Sequence, residues 1–388
     1  MKKYLVTFAA FMIMLCIGGV YAWSIFVPPL KAEHGLMTAQ TQLIFGFTIA
    51  SFAVMMILAG RIEKTHGPRI TATIGAVLFG LGYLIASFSR GNVFVLLIGI
   101  GILSGSGIAF GYVTALATPI KWFPRYKGLI TGISVAGFGG GAIILSIVVK
   151  SLLNNAWPVL NVFRIIGIGY GIIVLLSAML ISVPESSVSA TATKSHSTSE
   201  LIKDTKIWAL FLAMFAGTFA GLLVIGNLKL IGLNYGVTEV YATTAISFLA
   251  FGNMVGRVLW GFVSDKLGGR KSVILALILL SLFTLLILPG SQSNLTFLFI
   301  PFLVGLGFGA NFVLFAAEVS QLYGVEKLSI IYPYVFLSYG FAGIIGPSVG
   351  GWLFDKMQSY TAPIILSAII CAGGALLFHF MIPQKEIN

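Results

Sequence analysis

The sequence predicts an all-α integral membrane protein of about twelve transmembrane helices in two pseudo-symmetric six-helix bundles. Three observations predict it: a composition too apolar for a soluble domain, apolar runs of helix length along nearly the whole chain, and a loop motif that recurs in both halves. Of 388 residues, 58% are hydrophobic and 9% charged, whereas charged residues make up about a quarter of a soluble domain. A hydrocarbon layer about 30 Å thick is crossed by a helix of roughly 20 apolar residues. Barrel strands would read as alternating segments of about ten residues. The runs here are continuous and long, which excludes the barrel.

Apolar runs set against turn and charge punctuation place helices near 5–27, 41–60, 70–89, 93–117, 128–150, 160–183, 207–229, 239–263, 271–289, 295–317, 329–352 and 361–382. The first begins after Met1-Lys2-Lys3 and resembles a signal peptide, with Ala22-Trp23-Ser24 weakly like a cleavage site. Its apolar run exceeds the hydrophobic region of such a peptide and many spans follow, so a retained helix is expected. Between the sixth and seventh helices, Pro184 to Lys206 is rich in Ser, Thr and Ala, including Ser186-Ser187-Val188-Ser189-Ala190-Thr191-Ala192-Thr193. It reads as a flexible linker over 184–206, between bundles at 1–183 and 207–388.

The net charge of +12 would suit a nucleic-acid partner, but the basic residues lie in short connections between spans, where they report topology. One side carries Lys2, Lys3, Arg61, Lys64, Arg69, Lys121, Arg125, Lys127, Lys194, Lys203, Lys206, Lys266, Arg270, Lys271, Lys327 and Lys385; the other carries Lys31, Arg90, Lys150, Arg164, Lys229 and Lys356. The richer side is expected to be cytoplasmic and to hold both termini, in the cell (inner) membrane. Cys16 and Cys371 sit inside apolar spans, so they form neither a disulfide framework nor a metal site. No cofactor is expected, and four scattered histidines supply no enzyme's acid/base cluster.

The halves repeat. Gly60-Arg61-Ile62-Glu63-Lys64-Thr65-His66-Gly67-Pro68-Arg69 follows the second helix, and Gly261-Phe262-Val263-Ser264-Asp265-Lys266-Leu267-Gly268-Gly269-Arg270-Lys271 follows the eighth, about 201 residues later. The fifth helix carries Gly137-Phe138-Gly139-Gly140-Gly141; the eleventh carries Gly340, Gly343, Gly346-Pro347 and Gly350-Gly351. Parallel repeats of six helices form a transporter architecture, with the solute site expected at mid-membrane where the halves meet. The glycines themselves let backbones approach and need no ligand.

At these residues the chain resembles the major facilitator superfamily, whose cytoplasmic gate motif is met at Gly261, Asp265, Lys266, Gly268 and Arg270. The first copy departs from it: Lys64 stands where the family has aspartate, with Glu63 one residue earlier. Gly19-Val20-Tyr21-Ala22-Trp23-Ser24-Ile25-Phe26, Lys121-Trp122-Phe123-Pro124, Gly137-Phe138-Gly139 and the stretch from Asn253 to Asp265 resemble the oxalate/formate antiporter family and its bacterial monocarboxylate-transporter relatives.

Arg257 is the one formal charge placed well inside a span, where an arginine costs about 2.5–3.5 kcal/mol on insertion scales. Asn253, four residues earlier, shares its helix face and can orient the guanidinium. No acid lies in the interior of the predicted span, and a planar guanidinium matches a carboxylate with two parallel hydrogen bonds. The alternative is that Arg257 snorkels to the cytoplasmic surface or holds backbone carbonyls. The resemblance implies an acid four residues before this arginine in monocarboxylate transporters, and Asn253 replaces it. It also implies, in oxalate antiporters, a lysine before the Gly-x-Ala-Gly-like stretch of the eleventh helix, and Tyr339 stands there. One fixed cation neutralises one carboxylate, which favours a monocarboxylate over oxalate.

Tyr112 and Tyr334 fall at about the depth of Arg257, with hydroxyls to donate; core filling or an interfacial belt is the alternative. Tyr339 lies nearer the midplane, and Tyr21 and Trp23 nearer the outer interface, where a belt role is as natural as solute contact. Asn311 faces the cavity or bonds a neighbouring helix. Lys229 reads as a snorkelling anchor or an anion attractor. His34, His66, His196 and His379 lie in loops or at helix ends and no Asp or Glu falls clearly inside a span, so protonation of the substrate is the simplest proton route. The expectation is a monomeric, proton-coupled carrier of a small carboxylate such as lactate or pyruvate, with oxalate/formate exchange and an anion channel as alternatives.

Overall fold

A computed structural model describes residues 2–123, 127–184, 204–291 and 293–382, apart from the side chains of 127–133, 135–136 and 325–330. Pro124, Arg125, the linker residues 185–203 with Lys194, His196 and Lys203, and Lys385 lie outside the described residues. Twelve long helical segments follow one another: α1 (Lys2–Ile25), α2 (Thr38–His66), α3 (Pro68–Ser87), α4 (Val93–Trp122), α5 (Lys127–Asn154), α6 (Val159–Leu180), α7 (Thr205–Asn234), α8 (Glu239–Leu267), α9 (Gly269–Gly290), α10 (Asn294–Tyr323), α11 (Val325–Met357) and α12 (Thr361–Met381). Eleven of them are long and apolar enough to cross a membrane. The other, α11, is 33 residues long. Exposed Phe94, Phe262, Phe380 and Trp352 give the helices an apolar outer surface. The chain divides into two compact units, Met1–Ala192 and Thr193–Asn388.

Helix boundaries differ from the sequence reading where charges enter. The loop expected over 61–69 after the second helix shrinks to Gly67, because α2 continues to His66 and α3 starts at Pro68. Likewise α8 continues to Leu267 and Gly268 alone separates it from α9. An apolar run ends at the first charge, but Arg, Glu and Lys are good helix formers and the backbone stays helical. The reversal needs φ of 84° at Gly67 and 80° at Gly268, which only glycine adopts without steric cost.

The repeat extends to the orphan groups at helix ends. The Arg69 guanidinium donates to the Met179 carbonyl near the end of α6. Its counterpart Arg270 donates to the carbonyls of Ile382 at 2.6 Å and His379 at 2.7 Å, at the end of α12. At the opposite ends, the Val159 N–H donates to the Glu33 carboxylate at 3.0 Å and the Tyr360 N–H donates to Asn234 Oδ1 at 3.4 Å. Each counterpart lies 201 residues further on.

In the second unit α8 and α10 meet backbone to backbone. Gly252 and Gly256 on α8, and Gly305 and Gly309 on α10, form two small-x-x-x-small pairs, the spacing that brings membrane helices close. A Cβ at Gly256 would lie 2.2 Å from the Leu306 carbonyl oxygen, and one at Gly305 2.0 Å from that of Leu249. Trp260 Nε1 donates across the seam to Leu306 O at 3.1 Å. Gly256→Ala is therefore expected to destabilise the detergent-solubilised protein by about 1–3 kcal/mol through overpacking, read as a lower melting temperature. Gly261→Ala, whose Cβ would meet nothing nearer than 3.9 Å, should leave it unchanged; equal effects would refute this account of the seam.

Candidate functional site

In the second unit the α8–α10 seam places a cation in the interior. Arg257 is 8% exposed and Asn253 fully buried. Arg257 Nε donates to Asn253 Oδ1 at 3.3 Å, the i to i−4 pairing expected on one helix face. The guanidinium carbon stands 4.4 Å from the centroid of the Phe312 ring on α10, a cation–π contact worth roughly 0.5–2 kcal/mol. Among the described residues no carboxylate lies within 4.0 Å of this guanidinium. Asn253 Nδ2 is buried without a hydrogen-bond partner among the described residues. The group is thus a buried cation beside an uncommitted amide donor, both able to receive a carboxylate. Snorkelling to bulk water does not describe it.

Behind Phe312 lies an aromatic stack. Tyr339, fully buried, is 5.3 Å from Phe312 and 5.2 Å from Phe336 between ring centroids. Tyr332 adds its ring to Phe336 at 5.7 Å and donates its hydroxyl to Phe312 O at 3.3 Å. Tyr332, Phe336 and Tyr339 fall at i, i+4 and i+7, one face of α11. Tyr334 lies two residues beyond Tyr332, off that face, and is half-buried. Asn311 donates to the Phe308 carbonyl of its own helix at 3.0 Å. It packs against α7, where a Cβ at Gly217 would lie 2.3 Å from its Oδ1. Its hydrogen bond is thus within its own helix, and its approach to α7 is one of packing.

The first unit holds a separate aromatic cluster. Phe138 on α5 receives Tyr21 at 5.5 Å and Tyr112 at 5.3 Å, both edge-on, and Phe52 completes it 5.3 Å from Tyr112. α1 winds into tighter 3-10 geometry over Gly18–Ile25. Gly18 lets it press on α5, where a Cβ would lie 2.0 Å from Phe138 O. Tyr21 and Trp23 are buried, so neither belongs to an interfacial belt.

Other expectations change too. Lys229 is neither a snorkelling anchor nor an open anion attractor: it is buried, and its Nζ lies 2.8 Å from Glu239 Oε1 at the start of α8. Of the gate motif, Asp265, Lys266 and Gly268 are exposed, Gly261 is half-buried in the last turns of α8, and Arg270 caps α12. Acids do enter the helical interior. Glu63 on α2 and Glu318 on α10 are buried, the latter with its carboxylate against Gly269 at the start of α9. Predicted spans ending at 60 and 317 stopped just short of them. Phe312 and the glycine pairs also escaped the sequence reading, although Gly-x-x-x-Gly inside two spans was the available signal.

These features define a multi-pass helical membrane transporter, and the chain belongs to the Major Facilitator Superfamily, whose model matches residues 6–332 and 210–388. It is similar to the oxalate:formate antiporter of Oxalobacter formigenes, 27% identical over 384 residues that cover 97% of this chain and 90% of that one. It is also similar to monocarboxylate transporter 13 of Rattus norvegicus, 24% identical over 396 residues, 96% of this chain and 88% of that one. Apicoplast pyruvate carrier 1 of Toxoplasma gondii is 24% identical over 355 residues, 74% of this chain and 64% of that one.

Asn253→Leu removes both the acceptor that orients Arg257 and the uncommitted donor. Affinity for a small carboxylate, titrated by its effect on the melting temperature of purified protein, is expected to fall about tenfold, the worth of one hydrogen bond to a charged group. Unchanged affinity would take Asn253 out of the site.

Proposed function

We propose that this transporter is a secondary active carrier of a small monocarboxylate of the lactate or pyruvate type, coupled to protons and working by alternating access around Arg257. It acts as a monomer in the cell membrane, with both termini cytoplasmic. The observation that carries this reading is the buried Arg257 guanidinium with no carboxylate within 4.0 Å among the described residues. A buried cation in low dielectric is stable only with compensation, and a carboxylate solute completes what Asn253 and Phe312 begin. Relatives named for oxalate and formate, for monocarboxylates and for pyruvate support a small carboxylate as cargo. Tyr21, Tyr112, Tyr334, Tyr339 and Asn311 remain candidates for lining the solute's path, with the motif from Gly261 to Arg270 at the cytoplasmic gate.

The second reading, exchange of oxalate for formate, has the 27% identity to an oxalate:formate antiporter in its favour. Against it stands Tyr339, packed on Phe312 and Phe336 where the resemblance implies a second cation. A dianion would then bring one charge more than Arg257 neutralises. An anion channel would pass solute without saturation or counterflow.

Purified protein in liposomes is expected to take up labelled lactate or pyruvate with saturation and counterflow, faster under an acid-outside gradient, and to resist competition by oxalate. Arg257→Lys keeps the charge but loses the planar fork, and uptake should fall by about ten- to a hundredfold. Uptake by the lysine variant at the wild-type rate would remove the paired-hydrogen-bond argument.

A further inference from the structure

Glu63 on α2 has no task in carboxylate binding, yet it is placed at a cost. It is 8% exposed. Its Oε1 lies 3.6 Å from Lys121 Nζ near the end of α4, and that lysine side chain is 40% exposed. Its Oε2 is buried and has no hydrogen-bond partner among the described residues. Among the described residues of α1, α2 and α3, other charges are occupied or turned outward. Arg61, Lys64 and His66 on α2 are exposed, Arg69 on α3 donates to Met179 O, and Lys3 on α1 stacks on Tyr4 and Phe123. Glu63 is therefore a buried anion held at one oxygen by a cation that shares its charge with water.

The surroundings continue the pattern. Thr118 and Thr114 precede Lys121 by three and seven residues, on one face of α4. Both hydroxyls are buried with no hydrogen-bond partner among the described residues. Threonines in these helices commonly donate to the carbonyl four residues back, as Thr48 does to Ile44 at 2.9 Å; these two do not. Polar atoms without partners among the described residues thus run from Glu63 along α4, and each costs free energy if it stays unsatisfied.

We propose that Glu63 is the proton-binding site of the transport cycle, an inference that rests on the carrier reading above. The carboxylate takes one proton to become a neutral acid, the ion pair opens and the Lys121 ammonium turns to water; losing the proton restores the pair. With Arg257 holding the cargo's negative charge, one anion and one proton cross together and no net charge moves. Protonation of the substrate is then not required.

The test compares wild type, Glu63→Gln and Glu63→Asp in liposomes, with labelled lactate as probe. Counterflow at equal pH needs no net proton movement and is expected within about threefold of wild type in all three. Stimulation by an acid-outside gradient should be lost in Glu63→Gln and restored in Glu63→Asp. An infrared pH titration of the purified proteins reads the site without any substrate: a protonated-carboxyl band present in wild type should be missing from Glu63→Gln. Gradient-driven uptake by Glu63→Gln equal to wild type, or counterflow in wild type with no gradient response, overturns the proton site and leaves the carrier reading standing. Absence of counterflow for every carboxylate overturns the carrier reading, and with it Glu63's role in transport. Identical infrared titrations overturn the assignment of the proton to Glu63 on their own.

Discussion

The second unit is organised around the burial of one guanidinium. An arginine in the interior of a membrane helix costs about 2.5–3.5 kcal/mol on insertion scales, and two contacts offset part of it. Asn253 accepts from Nε, and Phe312 offers its ring face. Phe312 can do so only because α10 comes close to α8, and α10 comes close only because Gly252, Gly256, Gly305 and Gly309 carry no side chains at the seam. Packing and electrostatics are therefore one problem here: a methyl group on the seam would push away the ring that steadies the charge.

The two units share a scaffold and differ in chemistry. The 201-residue offset relates their glycine turns, the arginines that cap α6 and α12, and the acceptors that cap the starts of the same helices. These satisfy orphan backbone groups, a need that both copies have whatever they bind. At the same offset, Asn253 corresponds to Phe52, Arg257 to Met56 and Tyr339 to Phe138. The first unit thus keeps an aromatic cluster where the second keeps a cation and its amide.

Much of this was legible in the sequence. Helix number follows from run length, since crossing hydrocarbon imposes a minimum length whatever the residues. Arg257 and Asn253 stood out because a charge in an apolar run has no ordinary explanation and helical spacing fixes its neighbour. What escaped was whatever depends on the approach of two helices. Phe312 is one phenylalanine among 31, and nothing local distinguishes the ring that meets the guanidinium. Tyr332 was not singled out because depth along a helix says nothing about which face a residue occupies. Glu63 was missed for a different reason. Hydropathy ends a span at its first charge, whereas the helix, stabilised by its own hydrogen bonds, carries the carboxylate on into the packed interior.

The buried charges differ in where their partners come from, and that difference separates structure from function. Lys229 is buried, but its ammonium meets the exposed Glu239 carboxylate at 2.8 Å, so its compensation is supplied within the fold and no solute is needed to complete it. Arg257 is as deeply placed, but its fixed partners are an amide oxygen and a ring, which orient a positive charge without neutralising it. Burying a cation without a counter-charge costs free energy, a cost that the Lys229–Glu239 contact offsets and the fixed surroundings of Arg257 do not. A fold under no functional demand would be expected to lose such a residue to any apolar substitution. On the function proposed above, the negative partner that Arg257 and the uncommitted Asn253 donor lack is the cargo, which arrives and leaves.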